Sequence, residues 1–113
     1  MPSITLKTSK KVTDEVKKDL KSQFGKMISI LPGKSESWLM VDIEDGRDMW
    51  FKGSDSPCAM VEICLFGSSS PENYEKLTAA VSSAVSSDLG ISEDRIYVRY
   101  EETEYWGWNG GNF

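Results

Sequence analysis

Pro57-Cys58-Ala59-Met60-Val61-Glu62-Ile63-Cys64-Leu65-Phe66 is an extended, largely apolar run that ends in Gly67-Ser68-Ser69-Ser70-Pro71. From Pro71 to Leu89 the pattern changes, and Tyr74, Leu77, Val81, Ala84, Val85 and Leu89 fall on one side of a 3.6-residue period. Strand Cys58–Phe66, turn and helix are followed by a stop at Gly90 and a second strand, Arg95 to Tyr100. A crossover of that length joins parallel strands, which makes this a β-α-β unit. The same order stands about 56 residues upstream. Ser3 to Thr8 alternates like a strand, and Lys11 to Leu31 places Val12, Val16, Leu20, Phe24, Met27, Ile28 and Leu31 on one helical face. Thr13 with Asp14 and Glu15 opens that helix, Pro32-Gly33 stops it, and Trp38 to Ile43 forms strand two. Glu44 to Pro57 reads as a loop, in which Met49-Trp50-Phe51 is a short extended piece suited to pairing with a neighbouring subunit. No linker separates the halves, so residues 1–113 are read as a single domain of α/β (α+β) class with one sheet.

Alternation along the strands sorts their side chains onto two faces. One parity gives Ile4, Leu6, Leu39, Val41, Ile43, Ala59, Val61, Ile63, Leu65, Ile96, Val98 and Tyr100, which are expected under the two helices. The other gives Ser3, Thr5, Lys7, Trp38, Met40, Asp42, Cys58, Met60, Glu62, Cys64, Phe66, Arg95, Tyr97 and Arg99. That face is too apolar for open water, because Trp38, Met60 and Phe66 would all be exposed, and too charged for an ordinary core. Further copies of the chain in a closed ring would cover it.

Composition excludes several classes of function. The chain has 113 residues, 39% hydrophobic and 27% charged, with a mean hydropathy of −0.39 and no apolar run long enough to cross a membrane. A net charge of −5 argues against nucleic acid as a partner, although eight of the ten lysines lie in the first 34 residues. No leader-like stretch opens the sequence, so a cytoplasmic protein is expected. Histidine is absent, which removes the commonest general base and metal ligand. Cys58 and Cys64 are roughly 20 Å apart on a straight strand, too far for a disulfide, and read as reduced core residues. Glu101-Glu102-Thr103-Glu104 is expected to be a solvated turn rather than a cation site, and Gly107-Trp108-Asn109-Gly110-Gly111 lacks the helix that a phosphate cradle needs.

The residue that invites chemistry is the second. Removal of Met1 would leave Pro2 with a free secondary amine at the start of strand one, and α-amines titrate at about 7.7–8.0. Around it stand Gly33-Lys34 before strand two, Gly53-Ser54-Asp55-Ser56-Pro57-Cys58-Ala59 leading into strand three, Asp94-Arg95-Ile96-Tyr97-Val98 in strand four, and Gly107-Trp108-Asn109 near the end. In this order and spacing they resemble the macrophage migration inhibitory factor family of the tautomerase superfamily, over essentially the whole chain.

The resemblance implies a four-stranded mixed sheet with two helices on one face, assembled as a homotrimer with an active site at each subunit interface. It also implies a keto-enol tautomerase of the phenylpyruvate type, an isomerase needing no metal or organic cofactor, with Pro2 as catalytic base. Lys34 would hold the substrate's carboxylate or enolate oxygen and lower the proline's basicity, and Tyr97 of the adjacent subunit would polarise the carbonyl. Ser3, Trp38, Leu65, Phe66, Arg99, Trp106, Trp108 and Phe113 would contact a small anionic aromatic or unsaturated 2-oxo acid. Three features depart from the family pattern. Arg99 looks more like the D-dopachrome tautomerases and suits an anionic substrate or a decarboxylation. Trp106 and Phe66 replace smaller residues and favour a flatter ligand. Val61 breaks the Cys-x-x-Cys pair that begins at Cys58, which removes the thiol-disulfide route. The other class of reading is a cytokine-like protein, secreted without a signal peptide, that binds a receptor through the trimer surface and keeps a vestigial site.

Overall fold

The computed structural model describes residues 1–113. β1 (Pro2–Thr8), α1 (Asp14–Met27), β2 (Met40–Glu44), β3 (Ala59–Phe66), α2 (Pro71–Leu89) and β4 (Ile96–Thr103) are followed by a small hairpin, β5 (Gly107–Trp108) and β6 (Gly111–Asn112). Single 3-10 turns occupy Ile28–Ile30, Glu36–Trp38 and Glu93–Arg95. The main sheet runs β2-β1-β3-β4, with β1–β2 and β3–β4 parallel and the central β1–β3 pair antiparallel.

The internal repeat carries through to the register. Ser3 pairs with Met40 as Met60 pairs with Tyr97, an offset of 57 residues (3 to 60, 40 to 97), one more than the sequence pattern suggested. The antiparallel pairs obey the same offset, since Pro2–Leu65 maps onto Ala59–Thr8. The two β-α-β units are thus related by a pseudo-twofold passing between β1 and β3.

Local chemistry explains where the element boundaries moved. Thr13 accepts from the Val16 amide at 3.3 Å, which starts α1 at Asp14 rather than Lys11. The helix gives way to a 3-10 turn at Ile28 because Leu31, preceding Pro32, is forced into extended backbone with φ −82 and ψ 113. At α2 the Ser70 hydroxyl accepts from the Asn73 amide, Pro71 occupies the first turn and Gly90 closes the helix with φ 68. Trp38, expected in strand two, belongs instead to the 3-10 turn before β2. Arg95, expected on the open sheet face, ends the corresponding turn before β4. β4 continues through Thr103 because β3 offers partners as far as Phe66, so Glu101-Glu102-Thr103 is strand rather than turn. No group of three acidic, cysteine or histidine side chains is placed to hold a metal ion. Met49-Trp50-Phe51 forms no strand within the chain; only Phe51 bridges, to Ser54.

The core lies between the sheet and the helices. Ile4, Leu6, Val61, Ile63 and Leu65 from the sheet meet Leu20, Phe24, Leu77, Val81 and Val85 from the helices, all without exposed surface. The opposite sheet face is uncovered and carries an ion-pair ladder: Lys7 to Glu62 at 2.6 Å, Glu62 to Arg99 at 2.6 Å, and Arg99 to Glu101 at 3.3 Å. Lys7, ahead of Arg99, holds the Glu62 carboxyl below its ordinary range. Cys58 and Cys64 are both free thiols; Cys58 is buried just before β3, and Cys64 is half-buried on the open face.

Candidate active site

At the amino end of β1 the sheet edge, the Glu36–Trp38 turn and the C-terminal hairpin enclose a cavity of ≈ 460 Å³. It is lined by Pro2, Ser3, Trp38, Trp106 and Trp108 among the expected residues, together with Met1, Ser37, Leu39, Met40 and Gly107. Of these, Met1 and Gly107 belong to stretches already singled out, whereas Ser37, Leu39 and Met40 had no motif pointing to the site. Met40 could have been found from the parallel register, because it pairs with Ser3 beside Pro2.

Lys34 and Phe66 lie outside this lining, beside the amino terminus. Lys34 N–H donates to the Leu31 carbonyl across Pro32 and Gly33, and Gly33 has φ 81, the pattern of a type II turn. The turn directs the Lys34 side chain back to β3, where Nζ donates to the Phe66 carbonyl at 2.8 Å. The Phe66 amide donates to the Met1 carbonyl at 3.0 Å. Both backbone groups of Phe66 therefore converge on the amino terminus, one through a cation. The terminal amine is pushed below its ordinary value, first by burial and then by the Lys34 charge and hydrogen bond.

Trp38 and Trp108 line the cavity and begin an aromatic row that runs on to Phe113 and Phe66, neither of which lines it. Trp38 and Trp108 meet edge to face at 5.0 Å, Trp108 stacks on Phe113 at 6.2 Å, and Phe113 lies 5.8 Å from Phe66. The hairpin that delivers Trp108 turns at Asn109 and Gly110, with φ 52 and 81, the left-handed pair that a two-residue hairpin tip requires. Trp38 is seated from the other side. The Glu36 carboxylate reaches Lys21 at 3.3 Å and lies against α1 so closely that a Cβ on Gly25 would fall 2.0 Å from it. Gly25, unremarkable in the sequence, is what admits this turn to the helix.

The remaining expected residues lie elsewhere. The Leu65 side chain is fully buried in the core, facing the helices, so it cannot contact a ligand in the cavity. Arg99 is on the open face, its charge met by Glu62 and Glu101 rather than standing free beside Lys34. Tyr97 is 57% exposed and pairs with Met60, whereas Pro2 pairs with Leu65. Five residues of β3 separate those positions, roughly 16 Å, so one chain does not bring Tyr97 to its own Pro2.

Comparisons with known proteins identify the family. The family model described as macrophage migration inhibitory factor (MIF) matches residues 1–113. The crystal structure of Leishmania major MIF2 superposes with a TM-score of 0.94 at 31% identity, covering 100% of this chain and 97% of that one. Macrophage migration inhibitory factor of Xenopus laevis is 27% identical, over 100% of this chain and 99% of its own length. D-dopachrome decarboxylase-B of Xenopus laevis is 28% identical over 97% of this chain and 95% of its own. Full-length matches in sequence and in fold converge, and the chain belongs to the macrophage migration inhibitory factor family, with its tautomerase fold.

Proposed function

We propose that the protein is a cofactor-independent keto-enol tautomerase of phenylpyruvate-like 2-oxo acids, with Pro2 as its base once Met1 is removed. The supporting observation is the convergence of Lys34 Nζ and the Phe66 amide on the amino terminus. Loss of Met1 takes away the acceptor of the Phe66 amide and exposes a donor beside a cation. A 2-oxo acid entering the aromatic cavity would set its oxygens against these two groups. The neutral proline nitrogen then removes the proton from the carbon next to the carbonyl, and the oxygen that gains charge is held by Lys34. Proton return to that oxygen gives the enol, and the reverse sequence gives the ketone. Burial and the Lys34 charge already lower the amine at Met1, and the same two causes would favour the neutral form of a Pro2 amine.

The uncovered sheet face and the distance between Tyr97 and Pro2 support a homotrimer in which a neighbouring copy supplies Tyr97 to the cavity. A cytoplasmic location belongs to the same proposal. In the alternative reading, a cytokine-like, receptor-binding protein released without a leader, the names of the relatives carry the argument and the cavity is vestigial. A decarboxylating reaction is favoured by one relative's name but not by Arg99, which is already ion-paired.

The test joins mass spectrometry of the amino terminus to phenylpyruvate enol-to-keto kinetics. Processed protein beginning at Pro2 should be active, and Pro2→Gly should lose at least about 100-fold in kcat/KM. Full activity in Pro2→Gly, or in protein that keeps Met1, would overturn the reading in favour of receptor binding. Mixing Pro2→Gly and Tyr97→Phe subunits should restore sites intact in both residues; no recovery would exclude a shared site.

A further inference from the structure

We infer that Arg95 is a positioning residue for Tyr97, acting through the Phe51–Ser54 hairpin; the inference rests on the role proposed for Tyr97 at a neighbouring copy's site. Arg95 ends the 3-10 turn two residues before Tyr97 and makes no ion pair. Its guanidinium instead donates to four carbonyls of one loop: Nε to Pro57 at 3.0 Å, Nη1 to Phe51 at 3.1 Å, and Nη2 to Ser54 and Ser56 at 3.2 and 2.9 Å. Only a planar fork with several fixed donors can satisfy that set, and a lysine ammonium cannot span it.

The loop needs such a clamp. Phe51 and Ser54 exchange backbone hydrogen bonds at 2.9 and 3.1 Å around Lys52 and Gly53, whose φ values are 54 and 75. A left-handed lysine at a hairpin tip is a conformation that costs free energy, so the surrounding contacts must hold it. The product of the clamp is a fixed ring. Phe51 lies 5.3 Å from the Arg95 guanidinium, and Tyr97 lies 4.5 Å from Phe51, tilted by 35°. Tyr97 stands on an uncovered sheet face, where a tyrosine is otherwise free to change rotamer. Its packing against Phe51 selects one orientation, and Arg95 decides where Phe51 is.

The experiment uses full-length protein labelled with 3-fluorotyrosine. The chain has four tyrosines, and Tyr97→Phe identifies the fluorine resonance of Tyr97. In Arg95→Lys that resonance should shift and broaden while those of Tyr74 and Tyr100 stay in place. Phe51→Leu, which keeps Arg95 and an apolar side chain, should move the same resonance. In the phenylpyruvate assay Arg95→Lys should lower kcat about tenfold with little change in KM, as misplacement of a catalytic group does. Adding Arg95→Lys to Tyr97→Phe should cost no more than Tyr97→Phe alone. An unmoved Tyr97 resonance in both variants overturns the inference, and so does a double variant whose losses simply multiply. Full turnover in Tyr97→Phe would remove the catalytic role of Tyr97, while the fluorine resonance would still decide whether Arg95 positions it.

Discussion

The two ends of the sheet are built on one plan and finished differently. At the first, β1 is entered from Met1, the Met1 carbonyl accepts from the Phe66 amide, Lys34 follows the turn after α1, and Trp38 ends the 3-10 turn. At the pseudo-equivalent positions 57 residues on, β3 is entered through Cys58, whose carbonyl accepts from the Ser9 amide at 3.3 Å. There Ile91 replaces Lys34, and Arg95 replaces Trp38. Ile91 is 2% exposed and completes the core, while Arg95 ties down the 51–57 loop. The same backbone thus yields a cavity at one end and a closed, pinned corner at the other. What distinguishes them is a cation, Lys34, in place of an aliphatic side chain, Ile91.

Exchanging the two ends tests that contrast. Ile91→Lys would put an ammonium into the core with no carboxylate designed to meet it. A loss of about 3–5 kcal/mol is expected, enough to unfold a marginal domain, and urea denaturation would measure it. A variant as stable as the parent would show that the closed end is not closed. The reciprocal change, Lys34→Ile, leaves the fold intact and should lower kcat/KM by about 10²-fold or more. It should also move the acid limb of the pH–rate profile upward, because removing a neighbouring cation lets the terminal amine hold its proton to higher pH. An unchanged limb would mean that Lys34 does not tune the base.

Smaller effects separate the sheet faces and the two helices. Glu62→Gln should cost about 1 kcal/mol or less at neutral pH, since each exposed ion pair is weak. Glu62 has its folded-state value lowered by Lys7 and Arg99, so its contribution is full above the ordinary carboxylate range of about 4.3 and fades as pH falls below it. The difference between parent and variant should therefore vanish on acidification; a difference that grew instead would contradict the ladder. The caps should differ least: Thr13→Ala and Ser70→Ala are each expected to cost about 1 kcal/mol, readable as matched falls in thermal midpoint.

Much of this plan was legible in the chain. The helical stripes, Thr13 and Ser70, Pro32-Gly33 and Gly90 placed the helices because capping and turn chemistry are local. The parity of β3 placed Val61, Ile63 and Leu65 in the core because strand alternation is local too. The same parity assigned Arg95 and Trp38 to the wrong class of position, since a 3-10 turn breaks the two-residue period just before a strand. Leu65 was expected to touch substrate, yet its parity already placed it under the helices, where the structure has it.

Sequence alone determined the two β-α-β units and their repeat, because periodicity, capping and turn preference act between near neighbours. Tertiary structure decided that the Phe66 carbonyl holds Lys34, that Gly25 makes room for Glu36, that Arg99 is spent on Glu62, and that Arg95 reaches four loop carbonyls. Each of these joins segments far apart in the chain, and strand register and helix approach select which distant groups meet. No local pattern encodes that choice.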